Sequence, residues 1–364
     1  MKIAFDAKRF FHNTSGLGNY SRDLVRILAT YFPENEYILL NKNKSERAAD
    51  LLNLPNVHFI KTTKGSLSRQ LKMGKDAQQQ SADVFHGLSG ELPLKWDKKP
   101  IKKTVTIHDL IFVRYPQYYS FFDRKIHFWK FKKATDTADK IIAISEQTKQ
   151  DIIQFLKVPE SKIEVIYQGC HQAFKEKQPE EFIQQTKEKF DLPERFVLNV
   201  GTIEERKNLL NVVKALKDTD IPLVVVGKKT KYFKKVERFV RENKIKAYFL
   251  ENVSMDELAA IYKLADIFIY PSLFEGFGIP VIEALFSKTV VITSNTSCLP
   301  EAGGPDSVYI DPKNPLDIQA KIKFLWQNES ERKRRAEKGF GFVQKFNDEP
   351  IANQLMNFYK NILQ

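Results

Sequence analysis

Compact apolar runs recur along the chain, set apart by polar and glycine-containing stretches. Lys2 to Asp6, Glu36 to Leu40, Val57 to Ile60, Val84 to His86, Lys103 to Ile107, Asp139 to Ser145 and Ile163 to Tyr167 form one series. Phe196 to Gly201, Leu223 to Gly227, Ala247 to Leu250, Ala265 to Tyr270 and Thr289 to Thr293 form a second. The most apolar of these, such as LVVV and IFIY, lack the apolar-polar alternation of a half-exposed strand, which predicts parallel sheets covered on both faces. Helical patterns lie between them: Tyr20 to Tyr31, a segment from about Glu146 that Ser145 can cap, Glu180 to Phe190, and Ser254 to Ala265, where Ser254 and Glu257 form a capping box. Ser330 to Lys338 predicts a charged helix and Glu349 to Leu363 an apolar-striped one. Strands alternating with helices predict an α/β fold. A chain of 364 residues suits two domains, here 1–175 and 176–345, followed by a terminal helix over 346–364. The polar stretch Thr62 to Ser81, with Lys64, Arg69, Lys72, Lys75 and three consecutive glutamines, predicts a mobile excursion.

Composition narrows the function. No long uncharged apolar run is present, so a membrane span is not expected, and Met1 leads straight into KIAFDA without a signal-peptide core, which predicts a cytoplasmic protein. Cys170 and Cys298 stand far apart and in no ligand spacing, so neither a disulfide framework nor a metal site is expected. The charge is uneven. Residues 1–175 carry 29 Lys and Arg against 18 Asp and Glu, whereas residues 176–364 carry 29 against 27. Such an excess suits an anionic partner of the first half, namely a phosphate-bearing acceptor, an acidic membrane surface or nucleic acid, and also suits a merely solvated basic surface.

Candidate chemistry centres on Tyr270 to Leu285, YPSLFEGFGIPVIEAL. A strand, a Gly-Phe-Gly turn and a helix start follow one another, with Pro280 fitting the first helical turn. Gly276 and Gly278 let bare amides approach a ligand at the positive helix end, which suits an anion. Glu275 on the loop can accept bonds from a sugar ring. Glu283, expected in the first helical turn, can accept them from ribose hydroxyls. Taken alone, the pair also fits a helix-stabilising charge and a solvated loop charge. After the strand ending in Gly201 comes Glu204-Glu205-Arg206-Lys207-Asn208, whose two cations can neutralise a diphosphate or simply face solvent.

In the first half, His108-Asp109 follows the strand Lys103 to Ile107, at the end of the sheet where open α/β folds bind ligands. His108 can bond a sugar hydroxyl or shuttle a proton with Asp109 orienting it, or the two can form a local structural pair. The loop His12 to Asn19 contains Gly16 and Gly18, but Gly16-Leu17-Gly18 lacks the third glycine of a dinucleotide fingerprint. These glycines serve either backbone approach to substrate or a tight turn. Phe112 to Lys133 interleaves aromatics with bases, fitting an anionic membrane, a core-facing helix with a basic outer side, or base stacking; no nucleic-acid motif accompanies it.

EGFGIPVIE with ERKN, HDLIFVRYP and SGLGNYSR resembles the signature of the family 4 retaining glycosyltransferases across nearly the whole chain. The resemblance implies the GT-B fold, two Rossmann-like domains facing across a cleft, with the last helix returning to the N-terminal domain. It implies that Glu275 and the amides of Gly276, Phe277 and Gly278 hold the transferred sugar, Glu283 the ribose, and Arg206 and Lys207 the diphosphate beside Gly201. It places His108 beside the sugar and Gly16, Gly18 and Asp109 on the acceptor side. Thr202 stands where many members carry a further Arg.

The implied activity is retaining, metal-independent transfer of a hexosyl group, mannosyl as first expectation. The donor is a nucleotide diphosphate sugar and the acceptor a glycan or lipid-linked hydroxyl, with no further cofactor. Peripheral contact with the inner membrane face is expected and nucleic acid is not. A GT-B sugar-nucleotide epimerase and a non-catalytic binder of anionic glycan or nucleic acid are the alternatives.

Overall fold

The computed structural model describes residues 1–13, 16–63, 65 and 67–364. Thr14, Ser15, Lys64 and Ser66, which belong to the glycine-containing loop and the polar excursion of the sequence reading, lie outside the described residues. The chain divides into two compact units, Met1–Gly169 together with Phe346–Gln364, and Cys170–Lys345.

The first unit is built on strands β1 (Lys2–Asp6), β2 (Glu36–Asn41), β3 (Val57–Lys61), β4 (Val84–Gly87), β5 (Lys102–Ile107), β6 (Lys140–Ala143) and β7 (Ile163–Val165). All pair in parallel, in the order β3-β2-β1-β4-β5-β6-β7. Both faces are covered, which is why the sequence shows apolar runs rather than alternation. Ile3, Phe5, Tyr37 and Leu39 pack with Leu24 and Leu28 of the helix Gly16–Tyr31 and with Leu355, Phe358 and Tyr359 of the helix Asp348–Leu363. Ala4, Ile38 and Leu40 point to the other layer, among Met73, Ala77, Ala134, Ile152 and Leu156. The terminal helix is thus part of the N-terminal core.

Two readings need correction. The helix begins at Gly16, so Gly16 and Gly18 lie in its first turn and not in a loop. The Asn13 side chain accepts from the Gly18 N–H at 3.1 Å, giving the helix start a partner that its glycines cannot supply. Residues 67–81 of the predicted excursion are no loose segment. They hold helices Ser68–Leu71 and Met73–Gln79, anchored by buried Met73 and Ala77 and by Asp76, which accepts from the Thr63 N–H and hydroxyl. A polar composition concealed those few buried anchors.

The helix Phe121–Thr137 is capped by Ser120, which accepts from the Asp123 N–H. Its inner edge packs His127 and Phe131 on Phe112. Its outer side also carries large apolar residues.

The second unit contains β8 (Val197–Val200), β9 (Leu223–Val226), β10 (Ala247–Leu250), β11 (Ile267–Tyr270), β12 (Val291–Ser294) and β13 (Val308–Ile310). These pair in parallel in the order β10-β9-β8-β11-β12-β13. The strand order reverses between β8 and β11, opening a crevice at their carboxyl ends. The helix Met255–Leu264 begins with the expected reciprocal bonds between Ser254 and Glu257. β13 and the helix Pro315–Gln327 are not expected from the sequence; the three residues of β13 are too few to show a period.

Candidate active site

At the crevice between β8 and β11 the second unit holds a poorly exposed cluster of charge. β8 runs directly into Gly201, whose φ of +139° a side-chain-bearing residue rarely adopts. A turn over Glu205–Lys207 follows, ended by Asn208 in the left-handed conformation. The Asn208 amide donates to the carbonyls of Pro271 and Pro312, and the Leu273 N–H donates to the Arg206 carbonyl at 2.9 Å. The turn after β8 is thereby stitched to the loop after β11.

That stitching brings Arg206 and Lys207 onto Glu275. Glu275 is only 9% exposed, and its Oε1 lies 2.6 Å from Lys207 Nζ and 2.8 Å from Arg206 Nη1. The same oxygen accepts from Ser272 Oγ at 2.5 Å and the Tyr270 hydroxyl at 3.1 Å. Lys207 also donates to the Tyr270 hydroxyl and lies over its ring. Burial alone raises a carboxyl pKa, but Lys207 and then Arg206 outweigh it and hold Glu275 at about 2. Burial lowers the Lys207 pKa, with Glu275 opposing. One buried anion and two cations therefore stand together. The sequence reading treated Glu275 as a sugar ligand and the cations as diphosphate ligands; the geometry makes them one cluster, with four donors on a single carboxylate oxygen.

Beyond Glu275 the chain enters the helix Ile279–Phe286 through Gly278, at φ +124°. A Cβ there would meet Leu299 at 3.1 Å and Ala302 at 3.3 Å, so close packing and conformation both call for glycine. Gly276 lies on this turn, and the Phe277 side chain is buried, so any ligand contact from Phe277 is through its backbone. Glu283 corrects an expectation. It is the fifth residue of the helix, past the first turn, and buried against Tyr262, whose hydroxyl donates to its Oε2 at 3.0 Å. At that depth the helix start gives little support, and burial pushes the carboxyl up to about 7.

In the first unit, His108 and Asp109 directly follow β5. His108 Nε2 donates to the Leu88 carbonyl at 2.9 Å, which makes Nδ1 the acceptor of the neutral ring. The ring meets Tyr20 edge-on at 4.6 Å between centroids. Burial lowers its pKa to about 4, so His108 is neutral near pH 7 and acts as a hydrogen-bond partner rather than a cation. Asp109 accepts from the Ile111 N–H at 3.1 Å, which turns the chain into the next helix. A Cβ on Gly18 would lie 2.0 Å from the Asn13 carbonyl, whereas nothing lies within 4 Å of one on Gly16. The tight constraint is thus on Gly18.

Two family models match this chain, one described as Glycosyltransferase Family 4 over residues 15–173 and one as glycosyl transferases group 1 over residues 180–341. The chain belongs to the family 4 glycosyltransferases. The O-antigen chain mannosyltransferase B of Escherichia coli is 26% identical over 99% of this chain and 100% of its own. Among solved structures, the sucrose-phosphate synthase of Thermosynechococcus elongatus superposes with a TM-score of 0.80 at 20% identity, over 100% of this chain and 99% of that one. Anabaena HepE, solved with UDP and glucose, gives 0.77 at 16% over 99% and 100%. These likenesses show the GT-B fold of two Rossmann-like domains, as the sequence resemblance implied.

For this glycosyltransferase, sequence reasoning missed several residues around Glu275. The sequence marks Tyr270 as a strand end and Ser272 as loop, yet both bond the carboxylate. Ser297, in the left-handed conformation, donates to the Glu275 carbonyl and accepts from its N–H, and Cys298 donates to the Glu275 and Phe277 carbonyls. Hydroxyls at the end of an apolar strand are the one signal that pointed to Tyr270 and Ser272. For Ser297 and Cys298 the contact spans more than twenty residues, and no local pattern announces it.

Proposed function

We propose that this glycosyltransferase moves a hexosyl group, mannosyl in the first instance, from a nucleotide diphosphate sugar to an acceptor hydroxyl in polysaccharide synthesis, with retention and without a metal. The observation that carries the reading is the Glu275–Lys207–Arg206 cluster at the crevice between β8 and β11. The likeness to an O-antigen mannosyltransferase over the full length supports the sugar and the pathway class. In this reading the second unit binds the donor and the first the acceptor. Lys207 and Arg206 stabilise the charge that develops on the leaving diphosphate, together with the amides of Gly276 to Gly278. Glu275 holds those cations in place through Oε1 and offers its other oxygen to the sugar. Glu283, when ionised, accepts from the ribose. Gly201 lets the diphosphate approach the backbone.

On the acceptor side, His108 Nδ1 accepts from a sugar hydroxyl, with Asp109, Gly16 and Gly18 shaping that end of the sheet. The departing phosphate takes the acceptor's proton, so a charged histidine is not required. Among the described residues no helix is long and apolar enough to cross a membrane. A lipid-linked acceptor therefore implies peripheral contact of the basic first unit with an anionic membrane at the cytoplasmic face.

The test is thermal-shift binding of GDP, UDP, ADP and their sugars to the wild type and to Lys207→Ala and Glu283→Gln, since a ligand of the folded state raises stability by mass action. One base should stabilise the wild type strongly and the variants weakly. No response to any nucleotide would overturn the reading. Release of free nucleotide without an acceptor, and with an altered sugar, would favour epimerisation instead.

A further inference from the structure

The helix Phe121–Thr137 has two apolar sides, and among the described residues only one is packed. Its inner edge rests on Phe112 through His127 and Phe131. On the opposite side Phe122 is 77% exposed, Ile126 52% and Trp129 55%, with Phe121 at 60% beside them. Positions 122, 126, 129 and 133 follow helical spacing, so Phe122, Ile126, Trp129 and Lys133 form one outward stripe. An exposed stripe of this kind marks an interaction surface.

Charge decides the partner. Residues 121–133 hold five bases and one acid. Among the described residues, Arg124, Lys125 and Lys133 have no carboxylate within ion-pair distance, and the single acid, Asp123, is bonded by Ser120. A two-fold interface between copies would set these same bases against each other, because such an interface is self-complementary. A surface that takes up aromatic side chains and carries negative charge meets both requirements. Phenylalanine and tryptophan sink into the boundary between headgroups and acyl chains, while flanking lysine and arginine stay at the phosphates.

We infer that the outward face of the Phe121–Thr137 helix docks on an anionic lipid bilayer, with Phe121, Phe122, Ile126 and Trp129 inserted and Arg124, Lys125 and Lys133 on the headgroups. The inference rests on the proposed reading in one respect, that the acceptor is lipid-linked. Topology adds a functional consequence. The helix follows the segment after β5, so its N-terminal half, which bears the four apolar residues, lies at the carboxyl end of that strand, where His108 stands. Docking there sets the acceptor end of the first unit toward the membrane.

The experiment is co-sedimentation of the full-length protein with vesicles of phosphatidylethanolamine and phosphatidylglycerol, and with phosphatidylcholine vesicles as control. The wild type should bind the anionic vesicles and not the neutral ones, and its tryptophan emission should be quenched by brominated acyl chains. Phe122→Ser combined with Trp129→Ser should lower binding by about tenfold or more, and Trp129→Phe should remove most of the quenching without removing binding. Arg124→Gln with Lys125→Gln should weaken binding about fivefold per charge, an effect lost at high salt. Phe122, Lys125 and Trp129 are exposed and Arg124 is half-buried and, among the described residues, without an ion pair, so melting temperature and nucleotide response should stay at wild-type values, which separates failure of this inference from failure of the glycosyltransferase reading. Equal vesicle binding by the wild type and the Phe122, Trp129 double variant would overturn the inference. So would a wild type that ignores anionic vesicles, or one that forms a dimer abolished by the double variant.

Discussion

Lys207 Nζ lies 2.6 Å from Glu275 Oε1 in the crevice where the second sheet reverses its strand order, with Arg206 Nη1 at 2.8 Å from the same oxygen. Neither cation nor anion is well solvated; Lys207 and Glu275 depend on each other, and Arg206 is shared between Glu275 and Glu204, which lies at 2.6 Å. Removing one partner of a buried pair leaves an uncompensated charge, a loss of about 3–5 kcal/mol. Glu275→Gln keeps the shape and removes the anion. It should destabilise the Cys170–Lys345 unit by that order in urea titration and abolish transfer. A variant as stable as the wild type would mean that the cluster contributes nothing to the fold.

The same carboxylate sets an acid limit. Its pKa falls from an ordinary 4.5 to about 2 in the folded chain, burial being outweighed by Lys207 and Arg206. A depressed carboxyl pKa gives stability that is present above the unfolded value and lost as pH falls through the folded one. Between pH 4.5 and about 2 the second unit should therefore lose on the order of 3 kcal/mol from this group. Denaturation followed across that window should show a steep slope in the wild type and a shallower one in Glu275→Gln.

Glu283 has the opposite sign. Burial raises its pKa from 4.5 to about 7, so the folded chain holds a proton that the unfolded chain has released, and stability declines as pH rises from 4.5 to about 7. Glu283→Gln mimics the protonated form and keeps an acceptor for Tyr262. It should match the wild type near pH 5 and exceed it near pH 8. Because the ionised form is the one proposed to accept from ribose, nucleotide affinity of the wild type should rise between pH 6 and 8 while that of the variant stays flat. Calorimetric titration at the two pH values checks this.

The strands were legible because both faces of each sheet are covered and the runs are apolar throughout; β10 falls at the residues the pattern gives, and Ser254 with Glu257 announced the helix they cap. The candidate site was legible as residue types but not as an arrangement. Arg206, Lys207 and Glu275 are about seventy residues apart, and only the parallel pairing of β8 with β11 brings them onto one oxygen. The errors have local causes. Glycines at 16 and 18 weaken a helix signal that Asn13 restores from outside the segment, and the polar residues of Thr62 to Ser81 hid the buried Met73 and Ala77.

Gly278 tests whether the turn must keep its shape. Its φ of +124° lies where a side chain is strained, and an added methyl would press on Leu299 and Ala302. Gly278→Ala should cost about 1–3 kcal/mol from backbone conformation alone. It should also tilt the amides that face the proposed diphosphate. Nucleotide binding should fall more than stability predicts, read as a loss of thermal response that persists at saturating nucleotide.

His108 distinguishes a hydrogen-bonding role from a titrating one. Its Nε2 donates to the Leu88 carbonyl and burial lowers its pKa from 6.5 to about 4, so near pH 7 the ring is neutral with Nδ1 as acceptor. Folded-state stability from keeping this ring neutral is present above the unfolded pKa of 6.5 and is lost as pH falls toward 4. If Nδ1 receives a hydroxyl of the substrate, kcat should show no inflection from this group between pH 5.5 and 8, and His108→Ala should lower it by about 10- to 100-fold across that whole range. His108→Gln, which retains an acceptor, should recover part of the loss. A kcat profile with a single ionisation near 6.5 that vanishes in His108→Gln would show that the ring works as an acid or base, and the neutral-acceptor role would then be wrong.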